Sequence, residues 1–140
     1  KGKFPVSEYE VTLEAKKVDG NDFFCGMTFP AGEYPCTLII GGWGGTVVGL
    51  SSINGLDASE NETMINRSFT KDRWYKISLR VTHSRIEARI DDEIVIDFTI
   101  GDNILSIRPE VELSRPFGIA SWRTTAALRN IRLIPFGGNN

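Results

Sequence analysis

At 140 residues, 41% of them hydrophobic and 24% charged, the chain is long enough for one domain with a full core and too short for two comfortable ones. A formal net charge of −2, with its sixteen Lys and Arg scattered, excludes the concentrated basic face that a nucleic-acid or anionic-membrane partner calls for. No apolar run approaches the roughly 20 residues that insert across a bilayer, and one His without a Cys-x-x-Cys leaves zinc no ligand set.

The chain opens on KGKFPV, without the apolar stretch of a secretory leader; a mature exported protein reads the same way. From there the hydrophobic period is two. In YEVTLEAKKV, Tyr9, Val11, Leu13 and Ala15 alternate with Glu10, Thr12, Glu14 and Lys16, the pattern of a half-buried strand. NDFFCGMTF and CTLIIGG read as more fully buried strands about a turn at PAGEYP. That pairing sets Cys36 opposite Phe29 and Cys25 near Ile40, too far apart for a disulfide, so both cysteines read as buried free thiols.

GGWGGTVVGL follows, with Trp43 held between two glycine pairs and TVVGL as the next strand. Two readings of Trp43 stay open. Glycines let a strand bend and leave an indole exposed as a platform, or they mark close packing of two sheets with the indole in the core. Residues 55–69, GLDASENETMINRSF, are the one long polar stretch, and loops of that length are often functional. Asn54, Asp57, Glu60 and Asn61 offer oxygens to a calcium ion, without EF-hand spacing. Two sequons, at Asn61 and Asn66, read as chance.

From Trp74, which reads as core or rim, the alternation sharpens: Tyr75, Ile77, Leu79 and Val81 point one way. HSR turns the chain, IEARI returns it, DDE turns it again, and IVIDFTI makes another strand. FGIASW and AALRNIRLIPF close the sequence, with Leu128, Ile131 and Leu133 as apolar anchors and PFGGNN as a frayed tail or a trimmed boundary. About nine strands with turns at short intervals predict an all-β antiparallel two-sheet sandwich, or jelly roll, as a single domain over residues 1–140, standing alone or as part of a larger polypeptide.

RWYKISLRVTHSRIEARIDDEIVIDF, with its tryptophan, alternating strand, tight turns and apolar strands, resembles the concanavalin A-like lectin/glucanase sandwiches. The close, FGIASWRTTAALRNIRLIPF, is similar to the G-x-I-x-L…x-F-R-N-I-R ending of the 3-keto-disaccharide hydrolase-like (DUF1080) domain. VSEYEVTLEAKKVDGNDFFCGMTF looks like that family's early strand pair, so the similarity spans most of the chain. It implies a concanavalin A-like sandwich, a carbohydrate partner, and a bacterial protein placed extracellularly or in the periplasm. Three features depart from the family pattern. Phe29 is followed by Pro30 in place of arginine, CTLIIGGWGG replaces an acidic Y-E-x-Q-I-x-D strand, and the family's W-x-V-x-D-G strand has no counterpart in this sequence. The first two fall on polar residues that would face a substrate.

Glycoside hydrolysis needs two carboxylates about 5 Å or roughly 6.5–9.5 Å apart. The acids at Glu110 and Glu112, and at Glu60 and Glu62, lack the third acid of the superfamily's Glu-x-Asp-x-x-Glu strand and read first as solvated charge. Asp91 to Glu93 reads as a hairpin turn, and His83, without an orienting partner, as an exposed turn residue. Binding asks for less: aromatic platforms and a few fixed polar groups. SWRTT supplies Trp122, either on an open groove or capping the sandwich end, beside the donor fork of Arg123.

The leading expectation is therefore a carbohydrate-binding domain that contacts its ligand through Trp43, Trp122, Arg123, Glu60 and Asn61, with no cofactor and calcium as the one open option. A glycoside hydrolase of the 3-keto-disaccharide hydrolase-like type and a non-catalytic structural or protein-interaction module are the alternatives. An aromatic groove, a groove with converging acids, and a flat apolar patch tell the three apart.

Overall fold

The alternation is realised as strands in two layers. The structure, a computed structural model, describes residues 4–136. The strands are β1 Tyr9–Gly20, β2 Cys25–Ala31, β3 Tyr34–Gly42, β4 Val47–Ser51 and β5 Ile65–Asn66 in the first half. Then come β6 Tyr75–Val81, β7 Arg85–Ile90, β8 Glu93–Thr99, β9 Gly118–Ala120 and β10 Thr124–Pro135, with a 3-10 turn at Pro109–Ser114 before β9. Two antiparallel five-stranded sheets result, one in the order β10-β1-β6-β7-β8 and the other β5-β4-β3-β2-β9.

Between the layers, each strand turns its apolar set inward. Tyr9, Val11, Leu13 and Ala15 of β1 lie beside Ile77, Leu79 and Val81 of β6 on one inner face, against the inner side chains of β2 and β3, all essentially inaccessible to water. Each buried Val, Leu or Ile among them contributes roughly 1.5–3 kcal/mol by leaving water. The Tyr9 hydroxyl, buried with its ring, donates to the Pro30 carbonyl at 2.5 Å. At the other end Phe24, Phe69 and Tyr75 meet edge to face, with ring centres 5.1–5.2 Å apart along the chain of contacts.

The β2–β3 hairpin takes the anticipated register, Phe29 opposite Cys36 and Cys25 opposite Ile40, and both thiols are free and buried. Burial pushes each thiol up to about 12, so neither supplies thiolate near neutral pH. A disulfide-exchange reagent at pH 8 is expected to label no cysteine in the folded protein and two after denaturation; prompt labelling of the native state would contradict the packing. Asp91 and Asp92 form the two-residue β7–β8 turn, both at positive φ (51° and 71°), as a type I′ hairpin requires.

The closing strand corrects one expectation. Leu128 and Leu133 pair with buried Ala15 and Val11 and so face inward, yet they stay 37% and 41% exposed, and Ile131 50%. These are not core anchors. The opposite layer ends in β9, three residues long against the twelve of β10, so the inner face of β10 overhangs. Across a bulge, Asn130 at φ 57° and Ile131 share the place opposite Leu13.

The outer face of the second sheet positions the site. Along β3, Cys36, Leu38 and Ile40 enter the core, which leaves Thr37 and Ile39 on the other side. The same parity splits the adjacent phenylalanines: Phe24 joins the core, and Phe23 packs outside with Ile39, Val47 and Ala58.

Candidate functional site

A cleft of about 250 Å³ opens on that outer face. Its floor is sheet: Thr37 and Ile39 of β3, and Ser51 of β4 directly opposite Thr37. The Thr37 hydroxyl lies 3.0 Å from that of Thr28, and the Ser51 hydroxyl 3.4 Å from that of Ser52, so the floor offers hydroxyls among apolar carbons. Its walls come from loops: Asp22 and Phe23 before β2, Trp43 after β3, Arg108, Glu110 and Val111 around the 3-10 turn, and Trp122 after β9.

The glycines around Trp43 now have a cause. Gly42 to Gly45 is a tight turn closed by the Gly45 N–H donating to the Gly42 carbonyl at 3.1 Å. Both central residues, Trp43 at φ 47° and Gly44 at φ 90°, are left-handed, again the type I′ signature. The Gly44 N–H donates to Asp22 Oδ1 at 3.0 Å, which ties this turn to the loop before β2. The indole is 40% exposed at the cleft edge, not sealed between the layers. Left-handed backbone under a bulky side chain is unusual and costly.

Trp122 reaches the cleft from a second tight turn. Its N–H donates to the Phe23 carbonyl at 3.1 Å, the Ser121 hydroxyl donates to the Thr124 carbonyl at 2.8 Å, and Arg123 takes φ 49°. The indole is 47% exposed. The two tryptophans singled out in the sequence thus line one cleft.

The other three residues do not join them. Arg123 lies outside the lining, its guanidinium 5.4 Å from the Trp122 ring centre. Glu60 and Asn61 sit on the loop that docks along β4 beyond its short pairing with β5. The Asn61 amide donates to the Leu50 carbonyl at 2.6 Å and the Leu56 carbonyl at 3.1 Å, while its Oδ1 accepts from the Thr63 N–H and hydroxyl. The Thr63 hydroxyl in turn accepts from the Leu50 N–H at 2.9 Å. Asn61 and Thr63 therefore stand in for a missing strand neighbour of Leu50. Asn61→Ala is expected to cost about 1–3 kcal/mol by orphaning backbone groups, with ligand affinity unchanged; a stable variant with weakened binding would reverse that assignment.

The oxygens considered for calcium are likewise dispersed. Asn54 bonds to Asn103 and the Ile104 N–H, and Asp57 to Ser59 and Arg108. Among the described residues no three His, Cys, Asp or Glu converge.

Of the polar wall, the sequence offered Glu110 only as solvated charge and Arg108 not at all. Arg108 is held by Asp57 at 3.0 Å and Glu110 at 2.8 Å, with its guanidinium 5.9 Å from the Trp43 ring centre. Its own backbone N–H, and after it Arg108, hold the Glu110 carboxyl below the ordinary range, against the opposing effect of desolvation. Glu110 is thus a carboxylate on the cleft rather than a loose surface charge. Only the proline at 109 and the flanking charges hinted at an ordered segment there. CTLIIGG reads as buried on both faces because Ile39 is as apolar as Leu38 and Ile40, so the outward face of β3 was not legible either.

Comparison with known proteins agrees with this architecture. A family model described as 3-keto-alpha-glucoside-1,2-lyase-like domain matches residues 1–134. Among solved structures, a double variant of human galectin-16 superposes with a TM-score of 0.57 at 13% identity, covering 95% of this chain and 91% of that one. The carbohydrate binding module CBM66 from Bacillus subtilis gives 0.54 at 16% identity, covering 91% and 75%. Sheep galectin-11, solved in complex with glycerol, gives 0.54 at 12%, covering 94% and 92%. At these identities the likeness is one of fold. No curated protein matches the chain by sequence.

Proposed function

The chain belongs to the 3-keto-alpha-glucoside-1,2-lyase-like domain family, and we propose that within it this domain binds a glycan in the cleft on the outer face of the second sheet. One observation carries the reading: two half-exposed indoles from separate tight turns wall a single cleft floored by hydroxyl-bearing strands. Indole faces take the apolar faces of pyranose rings, and fixed hydroxyls order the sugar's own. At about 250 Å³ the cleft falls just under the roughly 300–1,000 Å³ of drug-sized sites, which suits one or two rings. The similarity to a carbohydrate binding module supports the same reading, which carries with it an extracellular or periplasmic location.

A glycan array read with wild-type protein and with Trp122→Ala tests it. Trp122 is half exposed and its backbone bond to Phe23 survives truncation, so the variant is expected to melt within a few degrees of wild type while losing tenfold or more in affinity (about 1.4 kcal/mol). Retained binding with a lowered melting temperature would make Trp122 a packing residue and end the proposal.

A second reading, catalysis on a 3-keto-glucoside, is favoured by Asp22 and Glu110 lining the same cleft. Glu110, held ionised, has no proton to give a leaving oxygen and can only accept one beside a keto group, as a weak base because its carboxyl lies below the ordinary range. Against it, outward β3 carries Thr37 and Ile39, with no carboxylate, and Pro30 is buried in β2. Turnover of a 3-keto-α-glucoside by wild type but not by Glu110→Gln would establish it.

A further inference from the structure

The charges around the cleft say more about the ligand than its shape does. Three carboxylates stand on or behind its walls: Asp22 and Glu110 in the lining, and Asp57 behind Arg108. One guanidinium opposes them within the lining, that of Arg108, and it is already shared between Asp57 and Glu110. Asp22 spends Oδ1 on the Gly44 N–H; Oδ2 takes no hydrogen bond among the described residues. Even with Arg123 counted from beyond Trp122, negative charge is in excess.

The aromatic walls favour the same sign. Each indole already draws a guanidinium toward its face, Arg108 at Trp43 and Arg123 at Trp122, as the ring quadrupole dictates. A cation placed in the cleft meets two indoles and a carboxylate oxygen with spare lone pairs. A uronate or sulfate placed there meets like charge at short range, with Arg108 already neutralised. Like-charge juxtaposition is among the strongest means of rejecting a partner.

We infer that the cleft selects amine-bearing sugars and rejects uronate and sulfated ones, with Asp22 and Glu110 as the specificity-determining residues. This rests on the cleft being the glycan site. A glycan array spanning neutral, glucosamine-containing, uronate-containing and sulfated oligosaccharides, probed with wild type, Asp22→Asn, Glu110→Gln, the double variant of these two and Trp122→Ala at low and at physiological salt, separates the two claims.

The amine-bearing members are expected to bind more tightly than their neutral counterparts. That preference should shrink about tenfold in the double Asn/Gln variant and weaken with salt. Trp122-dependent binding of uronate or sulfated glycans, or amine-bearing ones no tighter than neutral ones, overturns the inference and leaves glycan binding standing. No glycan bound, or binding that persists in Trp122→Ala, overturns both. A folding defect in Glu110→Gln from loss of the Arg108 contact would show in the melting curve. Asp22→Asn, whose Oδ1 still accepts from Gly44, then carries the test.

Discussion

Replacing Trp43 by glycine is expected to abolish glycan retention while leaving the domain as stable as before, or slightly more so. The residue is the first central position of the turn closed between Gly42 and Gly45, at φ 47°, where an L side chain crowds its own carbonyl. That conformation costs a non-glycine residue roughly 1–2 kcal/mol. Against this, the indole gives up packing at a site already 40% exposed and a long contact with Arg108 at 5.9 Å, worth about 0.5–1 kcal/mol at an exposed site. The two nearly cancel, so the melting temperature should move by no more than a few degrees. Affinity should drop at least tenfold, since one wall of the cleft is gone.

Trp43→Ala supplies the internal control. It removes the same ring but keeps a Cβ on left-handed backbone, so it should be the less stable of the pair by about 1 kcal/mol. Both should fail to bind. If glycine instead destabilises the domain like an emptied core position, by several kcal/mol, the ring is structural and the strain has another origin.

How far the sequence foretold this site follows from which physical signals are local. Strand parity and turn placement are local, so the two layers were readable from alternation, and the Phe29–Cys36 register and the free thiols from the turn at PAGEYP. The turn chemistry at Asp91 and Asp92 was readable for the same reason. The tryptophans were conspicuous because of their small neighbours, but whether Trp43 faced out depended on a positive φ that no composition rule assigns to an aromatic residue.

What stayed hidden is set by long-range docking. Glu60 and Asn61 drew attention as polar groups on a long loop; Asn61 instead completes the hydrogen bonding of β4 at Leu50. Glu110 looked like solvated charge because its partner Arg108 is anchored to Asp57, 51 positions away in the chain. The exposure of Leu128 and Leu133 was equally unreadable: their inward parity is right, and only the shortness of β9 across the layer leaves them uncovered. Parity says which way a side chain points and nothing about what covers it.

Gly20→Ala is expected to be the most damaging single-methyl change near the site. Gly20 ends β1 opposite Thr124 at φ 99°. A Cβ there would lie 2.5 Å from the Arg123 carbonyl oxygen, 2.8 Å from Thr124 Cα and 3.0 Å from Thr124 Oγ1. Backbone atoms cannot swing aside as a flexible side chain does, so the Ser121–Thr124 turn must move.

That turn bears on two wall residues at once. It presents Trp122, and Thr124 Oγ1 accepts the Asp22 N–H at 2.9 Å. Strain and collision together should cost roughly 3–5 kcal/mol, a fall in melting temperature on the order of 10–20 °C. Glycan affinity should drop as well when measured well below the transition, because Asp22 and Trp122 are displaced in the folded protein.

Gly32→Ala isolates the strain. Gly32 has φ 66° but no atom within 4 Å of an added Cβ, so its cost should be about 1 kcal/mol, with binding intact. Should the two alanine variants prove equally mild, the close approach of β1 to the Arg123 turn does not hold Trp122 in place, and the cleft owes its second wall to something else.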